Sequence, residues 1–375
     1  MLQYAGNYYG HYQVGSNNYL SKVRAILDSE QSHNEIKFVL YDDTYTKLNW
    51  QQEPTQSLQD LYAQRALELR NRYDYLVLHF SGGSDSLNIL ETFIRNNIRI
   101  EELFIRGPLK KVDKNIHNNK AENNYAEVFF QSLPIAEYVK KYFYPDLKIT
   151  VCDTSDYTWN FFTKNKEWFN IDTTNLNYFS PGIAWRADYD IVNTDFRKIT
   201  ESGKTVSHIV GVDKPMMYFK DKKFFIRFLD KTINIHMPFR NTQEQNPIFI
   251  EPFYWSQTTG PMIIKQGHKI KNYLNQNKID PECLNNVKGR SFHDFISKII
   301  YDRTLPIHFN PEKVTGGLVH PWDMIFLENQ NTDFYKHWTT GMDYFEKIIP
   351  DKWKHNGSVY NDMVGIWSRS YCLGE

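Results

Sequence analysis

The chain has 375 residues, with 44 Lys and Arg residues balanced by 44 Asp and Glu residues. This balance excludes the overall positive field that draws a protein onto nucleic acids or anionic membranes, so neither partner is indicated. Apolar residues make up 41% of the chain and aromatic residues 16%, which is enough for a large folded core. The length predicts about two or three domains, or one large α/β core with additions.

The composition also predicts a protein of the reducing cytoplasm. No apolar run reaches the roughly 18 residues that span a bilayer. The first residues, Met1 to Tyr4, lack the charged-then-apolar form of a signal peptide. The three cysteines, Cys152, Cys283 and Cys372, are widely separated and form no C-x-x-C pair. This spacing argues against a disulfide framework and against a zinc site.

The sequence pattern is irregular over the first 55 residues, and after them it predicts regular helices and strands. Residues 1–55 are polar and aromatic, and we predict an N-terminal cap with one strand at 36–41. Ser57 followed by Asp60 is a capping-box signal, which predicts a helix to about residue 72. Short apolar runs and helical patterns then alternate. The predicted strands are 75–80, 103–105, 148–152 and 206–210, and the predicted helices after them include 135–142 and 183–200.

This alternation predicts an α/β fold with a doubly wound, mainly parallel sheet over residues 56–215. Ligands of such sheets bind beyond the carboxyl ends of the strands, where the strand order reverses. The aromatic stretch 153–181 is predicted to be a flap over that site. After Pro215 the pattern changes to an α+β C-terminal region, residues 216–375. Its predicted strands are 224–228 and 233–237, both antiparallel, and 248–254, and its helices are 262–274, 291–301 and 333–348.

The most informative segment is residues 75–86, where an apolar run ends in Ser-Gly-Gly-Ser-Asp-Ser and a helical pattern follows. The glycines let the backbone approach an anion, and the serine hydroxyls can donate to phosphate oxygens. Asp85 can hold a metal that bridges those oxygens. The lysine of the G-x-x-x-x-G-K-[ST] P-loop is missing, so this is a different kind of phosphate loop.

The pattern S-G-G-x-D-S at Ser81–Ser86 resembles the pyrophosphate-binding loop of the N-type ATP pyrophosphatase (PP-loop) superfamily. The resemblance implies a ligase or amidotransferase that uses ATP and Mg²⁺. It would cleave ATP between the α and β phosphates and transfer AMP to a carbonyl or carboxylate oxygen, and an amine or ammonia would then displace AMP. The chain is also similar to phage-encoded PP-loop proteins labelled phosphoadenosine phosphosulfate reductase-like, which would place it in a host cytoplasm.

The expected site extends to two other strand ends. Lys214 is expected to neutralise charge at the α-phosphate, although Asp213 and Lys214 could equally form a solvated turn. Arg106 lies where family members contact the adenine or the phosphates, and a surface arginine is the alternative. Asp85 and Lys214 are the predicted catalytic residues. The predicted nucleotide contacts are Ser81, Gly82, Gly83, Ser84, Asp85, Ser86, Arg106, Gly211 and Asp213.

The acceptor is expected to be a small molecule or a nucleotide bound by residues 216–375, while residues 73–215 handle ATP. Aromatic walls with a few polar groups suit such a ligand. A homo-oligomer is compatible with the sequence. The candidate lining residues are Arg227, Trp255, His320 and Trp322.

Two other functions stay open. Sulfonucleotide reductases use a C-terminal cysteine within Glu-Cys-Gly, and Cys372 lies near the end of the chain in a different context, Tyr-Cys-Leu-Gly. If the chain is such a reductase, the loop would bind a phosphate of the substrate and no pyrophosphate would form. The chain could also be a nucleotide-binding interaction protein that has lost catalysis, although the intact Ser-Asp-Ser of the loop argues against this.

Overall fold

The computed structural model describes residues 10–107, 109–110, 126–153, 155–170, 194–211, 216–230, 248–286, 290–305, 331–361 and 363–375. The strands are β1 (His11–Val14), β2 (Asn17–Tyr19), β3 (Ile36–Val39), β4 (Tyr75–His79), β5 (Glu102–Gly107), β6 (Lys148–Asp153), β7 (Val206–Val210), β8 (Met216–Lys220), β9 (Lys223–Arg227), β10 (Ile248–Pro252) and β11 (Tyr371–Gly374). The helices are α1 (Lys22–Ser32), α2 (Asp42–Tyr45), α3 (Leu58–Arg72), α4 (Ser84–Arg95), α5 (Leu133–Tyr142), α6 (Ser155–Lys164), α7 (Thr194–Glu201), α8 (Gly260–Gln276), α9 (Cys283–Asn286), α10 (Arg290–Ile300) and α11 (Asp333–Ile348). Within these ranges, no helix is long and apolar enough to cross a membrane.

The centre of the fold is a five-stranded sheet with the order β10-β7-β4-β5-β6. Every neighbouring pair in it is parallel, which confirms the α/β prediction. The chain runs outward from β4 through β5 to β6, then returns to the other side of β4 to form β7 and β10. The strand order therefore reverses between β4 and β7, and the carboxyl ends of these two strands flank the switch point where ligands of such sheets bind.

Helices cover both faces of this sheet. Arg65 of α3 forms an ion pair with Glu251 of β10 (2.7 Å). Phe196 of α7 packs against His208 of β7, with ring centroids 4.6 Å apart. Glu251 pairs with Ile209 across the strands, so His208, one residue earlier, points to the opposite face. Helices α3 and α7 therefore lie on different sides.

The position of β10 differs from the expected organisation. Residues 248–254 were predicted to be a strand of a separate C-terminal region, but β10 pairs in parallel with β7 inside the central sheet. Helices α8 and α10 pack against α3 and α4, respectively. A short apolar run has the same pattern in either sheet, so it does not reveal its partner strand. The predicted boundary at residue 215 consequently does not separate the sheet from the rest of the chain.

Two small sheets lie outside the central one, with the orders β2-β1-β3 and β11-β9-β8. The predicted strand at 36–41 is confirmed as β3, and it pairs antiparallel with β1. The predicted strand at 224–228 is confirmed as β9, whereas the expected strand at 233–237 lies outside the described residues. Strands β8 and β11 were not predicted. Strand β11 pairs with β9, which is far away along the chain and gives no local signal.

A buried ion pair joins the N-terminal region to residues after β9. Lys22 Nζ lies 2.7 Å from Asp230 Oδ2, and both side chains are only 3% exposed. Tyr12 donates a hydrogen bond to the same oxygen (2.9 Å). The Ile366 backbone N–H donates to Asp230 Oδ1 (3.1 Å), so this carboxylate also binds the segment before β11. Residues 10–55 are thus built into the core.

Replacing Lys22 with Met should destabilise the protein by about 3–5 kcal/mol, because the Asp230 charge would stay buried without its cation. The matched control is Lys110→Met, which removes an exposed lysine paired with Asp156 (62% and 77% exposed) and should change stability little. Urea unfolding of both variants measures the difference. Equal losses for Lys22 and Lys110 would contradict the importance of the buried pair.

Candidate functional site

The loop Ser81–Ser86 joins β4 to α4 at the switch point of the sheet. Gly82 has a φ of +69°, a left-handed conformation that favours glycine. An added Cβ there would lie 2.8 Å from Ser132 Oγ. Gly83 is the N-cap of α4 and provides no side-chain hydrogen bond. The first-turn N–H groups of α4 therefore lack a cap from that residue, the arrangement in which helix ends bind anions.

The hydroxyl groups of the loop fall into two sets. Ser81 Oγ and Ser86 Oγ lie 3.3 Å apart across the loop. Gly83 N donates to Ser81 Oγ (3.4 Å), and Ser86 Oγ donates to Gly83 O (3.2 Å). Ser84 Oγ instead lies 3.1 Å from Ser297 Oγ of α10. Two of the predicted phosphate-binding hydroxyls thus face each other, whereas Ser84 links the loop to the C-terminal half of the chain.

The structure brings Gly211, at the end of β7, against the first turn of α4. An added Cβ on Gly211 would lie 2.9 Å from Ile89 Cδ1 and 3.2 Å from Ser86 N. The chain after β4 and the chain after β7 therefore lie next to each other, as expected. Asp213 and Lys214 lie outside the described residues, so their roles stay predictions. Arg106 lies half-buried at the carboxyl end of β5, next to β4, and its contact with a nucleotide also stays a prediction.

Two residues that the sequence did not indicate also contact the loop. Residues Val128–Ser132 form a π-helical turn just before α5, a feature found often at functional sites. Gln131 Nε2 donates a hydrogen bond to Gly82 O. Ser132 is fully buried, and its Oγ has no hydrogen-bond partner within the described part of the chain. The sequence predicted only the helix at 135–142 here, and it gave no indication of the π turn before it.

Two buried tyrosines hold Asp85. Tyr301 donates to Asp85 Oδ1 (2.6 Å), and Tyr254 donates to the Asp85 backbone oxygen (2.7 Å). Asn88 Nδ2 donates to the Tyr254 hydroxyl (3.0 Å). Burial, and next to it the charge of Asp85, raises the pKa of Tyr254 and of Tyr301 well above the ordinary value. Both phenols therefore stay protonated at physiological pH and act as donors.

Asp85 has the chemistry and the position of the magnesium ligand that the sequence predicts. Magnesium is usually bound by one or two carboxylates together with substrate phosphates and water. Asp85 is half-buried beside Ser86 at the start of α4, where an anion bound to the loop would sit. Among the residues that the structure describes, no group of three or more His, Cys, Asp or Glu side chains could hold a metal.

Of the four candidate acceptor-binding residues, the structure describes Arg227 and Trp255. Trp255 is fully buried, which places it in the hydrophobic core and not on the wall of an open pocket. The Arg227 guanidinium lies between the rings of Tyr218 (4.6 Å) and Trp367 (3.9 Å). His320 and Trp322 lie outside the described residues.

The chain matches no protein-family model and no curated protein sequence.

Replacing Gly82 with Ala should cost more stability than replacing Gly203 with Ala. Both glycines have positive φ (+69° and +84°), but only an added Cβ at Gly82 meets other atoms within 4 Å. We expect an excess loss of about 1–3 kcal/mol, the usual cost of overpacking. Denaturant unfolding of the two variants measures it. Equal losses would contradict the close packing of the loop against Ser132.

Proposed function

We propose that the protein is an ATP-dependent adenylating enzyme of the PP-loop type. It converts ATP to AMP and pyrophosphate and activates a carbonyl or carboxylate oxygen of a small-molecule or nucleotide acceptor. The main support is the packing of the Ser81–Ser86 loop: a left-handed Gly82, an uncapped helix start at Gly83 and Gly211 against Ser86 N, at the switch point of a parallel sheet. A site of this kind can bind the phosphate groups of a nucleotide.

The residues of the loop have separate tasks in this proposal. The backbone N–H groups at the start of α4 and the hydroxyls of Ser81 and Ser86 bind the β and γ phosphates, which leave as pyrophosphate. Gly82 and Gly211 carry no side chain, so the phosphates can approach the backbone. Asp85 would hold Mg²⁺, which would supply positive charge to the phosphate oxygens. Positioning and charge neutralisation of this kind are the main contributions a protein makes to nucleotidyl transfer from a phosphoanhydride such as ATP.

The position of Gly211 supports the proposal that Lys214 acts at the α-phosphate. Lys214 follows Gly211 by three positions, and three residues span at most about 11 Å. Gly211 itself lies against the first turn of α4. We therefore propose that Lys214 neutralises charge at the α-phosphate when AMP is transferred, and that Arg106 contacts the nucleotide from the end of β5.

The proposed reaction needs no cysteine as nucleophile or as reductant. The acceptor oxygen attacks the α-phosphorus, the bond to the β-phosphate oxygen breaks, and pyrophosphate leaves. The amine or ammonia then attacks the activated carbon, and AMP leaves with the acceptor oxygen. Both steps are nucleophilic displacements, so no electrons are exchanged with an outside oxidant or reductant.

The second candidate, a sulfonucleotide reductase, requires a reactive Cys372 near the loop. Cys372 lies in β11, opposite Phe225 of β9. It lines a surface groove together with residues that include Trp50 and Arg369. No residue lining this groove belongs to the Ser81–Ser86 loop, which favours the adenylating reaction.

Replacing Asp85 with Asn should abolish the Mg²⁺-dependent part of ATP binding, because the amide keeps the shape of the carboxylate but loses its charge. The matched control is Asp146→Asn, an exposed carboxylate after α5, which should bind ATP like the wild type. Calorimetric titration with and without Mg²⁺ measures both. Unchanged Mg²⁺-dependent binding in the Asp85 variant would remove the basis of the proposal.

Replacing Cys372 with Ser should leave turnover almost unchanged. The wild type and the variant are incubated with ATP, Mg²⁺ and a panel of carboxylate and nucleotide acceptors, and AMP and pyrophosphate are measured separately. We expect both products in equal amounts from each protein. Thiol-dependent activity that disappears in the Ser variant, with no pyrophosphate formed, would instead identify a reductase, because the thiolate would be the nucleophile.

A further inference from the structure

Three tyrosines from distant parts of the chain form one buried cluster behind the loop. The ring centroids of Tyr62 and Tyr254 are 5.9 Å apart, those of Tyr254 and Tyr301 are 5.5 Å apart, and those of Tyr62 and Tyr301 are 6.2 Å apart. Tyr62 belongs to α3, Tyr254 follows β10, and Tyr301 follows α10. All three side chains belong to the hydrophobic core.

The hydroxyls of the three tyrosines have different partners. Tyr62 donates to Ile300 O (3.3 Å) and accepts from Gln266 Nε2 (3.1 Å), so its partners lie in α10 and α8. Tyr254 donates to the backbone of Asp85, and Tyr301 donates to the Asp85 carboxylate itself. Tyr301 is therefore the member of the cluster that can set the direction of the Asp85 side chain.

The segment that carries Tyr301 is fixed on α4 by independent contacts. Glu91 Oε1 of α4 accepts hydrogen bonds from the backbone N–H groups of Thr304 (2.9 Å) and Leu305 (2.8 Å). Ser297, one turn before Tyr301, contacts Ser84 in the loop. The phenol is thus held in place from both sides along the chain, so its hydroxyl is a fixed donor and not a mobile one.

We propose that Tyr301 is a positioning residue that orients the Asp85 carboxylate toward the Mg²⁺ bound with ATP. This inference rests on the proposed function. A carboxylate has about four lone-pair positions, and one phenol O–H uses one of them, so a cation can bind the same group. Hydrogen bonds to charged acceptors are short and strong. The bond from Tyr301 to Asp85 is 2.6 Å long, and it restricts the rotamer of Asp85.

The same contact would exist if Tyr301 served stability alone, so the test must separate the two roles. We compare ATP affinity in saturating Mg²⁺ with ATP affinity in EDTA, and we call the ratio the magnesium gain. A purely structural tyrosine would lower stability or both affinities together. A positioning tyrosine would lower the magnesium gain and leave the affinity in EDTA unchanged.

The experiment uses Tyr301→Phe and, as matched control, Tyr62→Phe, which removes one hydroxyl from the same cluster without touching Asp85. We expect Tyr301→Phe to lose tenfold or more of the magnesium gain, since about tenfold corresponds to the lower end of the range for hydrogen bonds to charged groups. Tyr62→Phe should keep the full gain. Adding Tyr301→Phe to Asp85→Asn should have no further effect on the gain, because both changes act on one interaction.

The outcomes also separate this inference from the proposed function. If the wild type shows no Mg²⁺-dependent ATP binding, the proposed function fails and the inference fails with it. If the wild type shows the gain and Tyr301→Phe keeps it, the inference alone is wrong. Should Tyr301→Phe not fold, Asp85→Glu shifts the carboxylate by one methylene beside an intact Tyr301. A full magnesium gain in that variant would likewise overturn the claim that the carboxylate position matters.

Discussion

The close approach between the end of β7 and the first turn of α4 sets the geometry of the site. Gly211 lies so near Ser86 N and Ile89 that a methyl group would fall within 3.2 Å of both. Strands β4 and β7 are paired in parallel, so this contact lies beside their carboxyl ends at the switch point, which is the place where a parallel sheet can hold a nucleotide. A second close approach holds the loop at Gly82, where an added Cβ would lie 2.8 Å from Ser132 Oγ and where Gln131 Nε2 donates to the backbone oxygen.

The second half of the chain is part of this arrangement and not an addition to it. Strand β10 completes the central sheet next to β7. Arg65 and Glu251 form an ion pair whose side chains are 2% and 1% exposed, and this pair ties α3 to β10. Removing one partner of such a pair is costly, because the other charge stays buried. Since Tyr254 and Tyr301 also hold Asp85, the stability of the fold and the geometry of the loop depend on the same core.

Local signals in the sequence predicted what is local in the structure. The Ser57–Asp60 capping box opens α3 as expected, and the apolar run before the loop forms β4. The parallel pairing of β10 was not predictable, because an apolar run does not reveal its partner strand. The tyrosines that hold Asp85 were also missed, since aromatic residues in this chain are abundant and a buried aromatic pattern is typical of a core. Their function depends on contacts between residues that are more than 160 positions apart.

The most direct test is a crystal structure of the protein with Mg²⁺ and a non-hydrolysable ATP analogue that has a methylene bridge between the α and β phosphates. The proposed chemistry predicts the β and γ phosphates within hydrogen-bonding distance, about 3 Å, of the backbone N–H groups of residues 82–86. It also predicts the metal between these phosphates and Asp85, with the α-phosphate facing the chain that follows Gly211. A nucleotide bound at another place, or an analogue at millimolar concentration that leaves the loop without phosphate, would contradict the assignment of this loop.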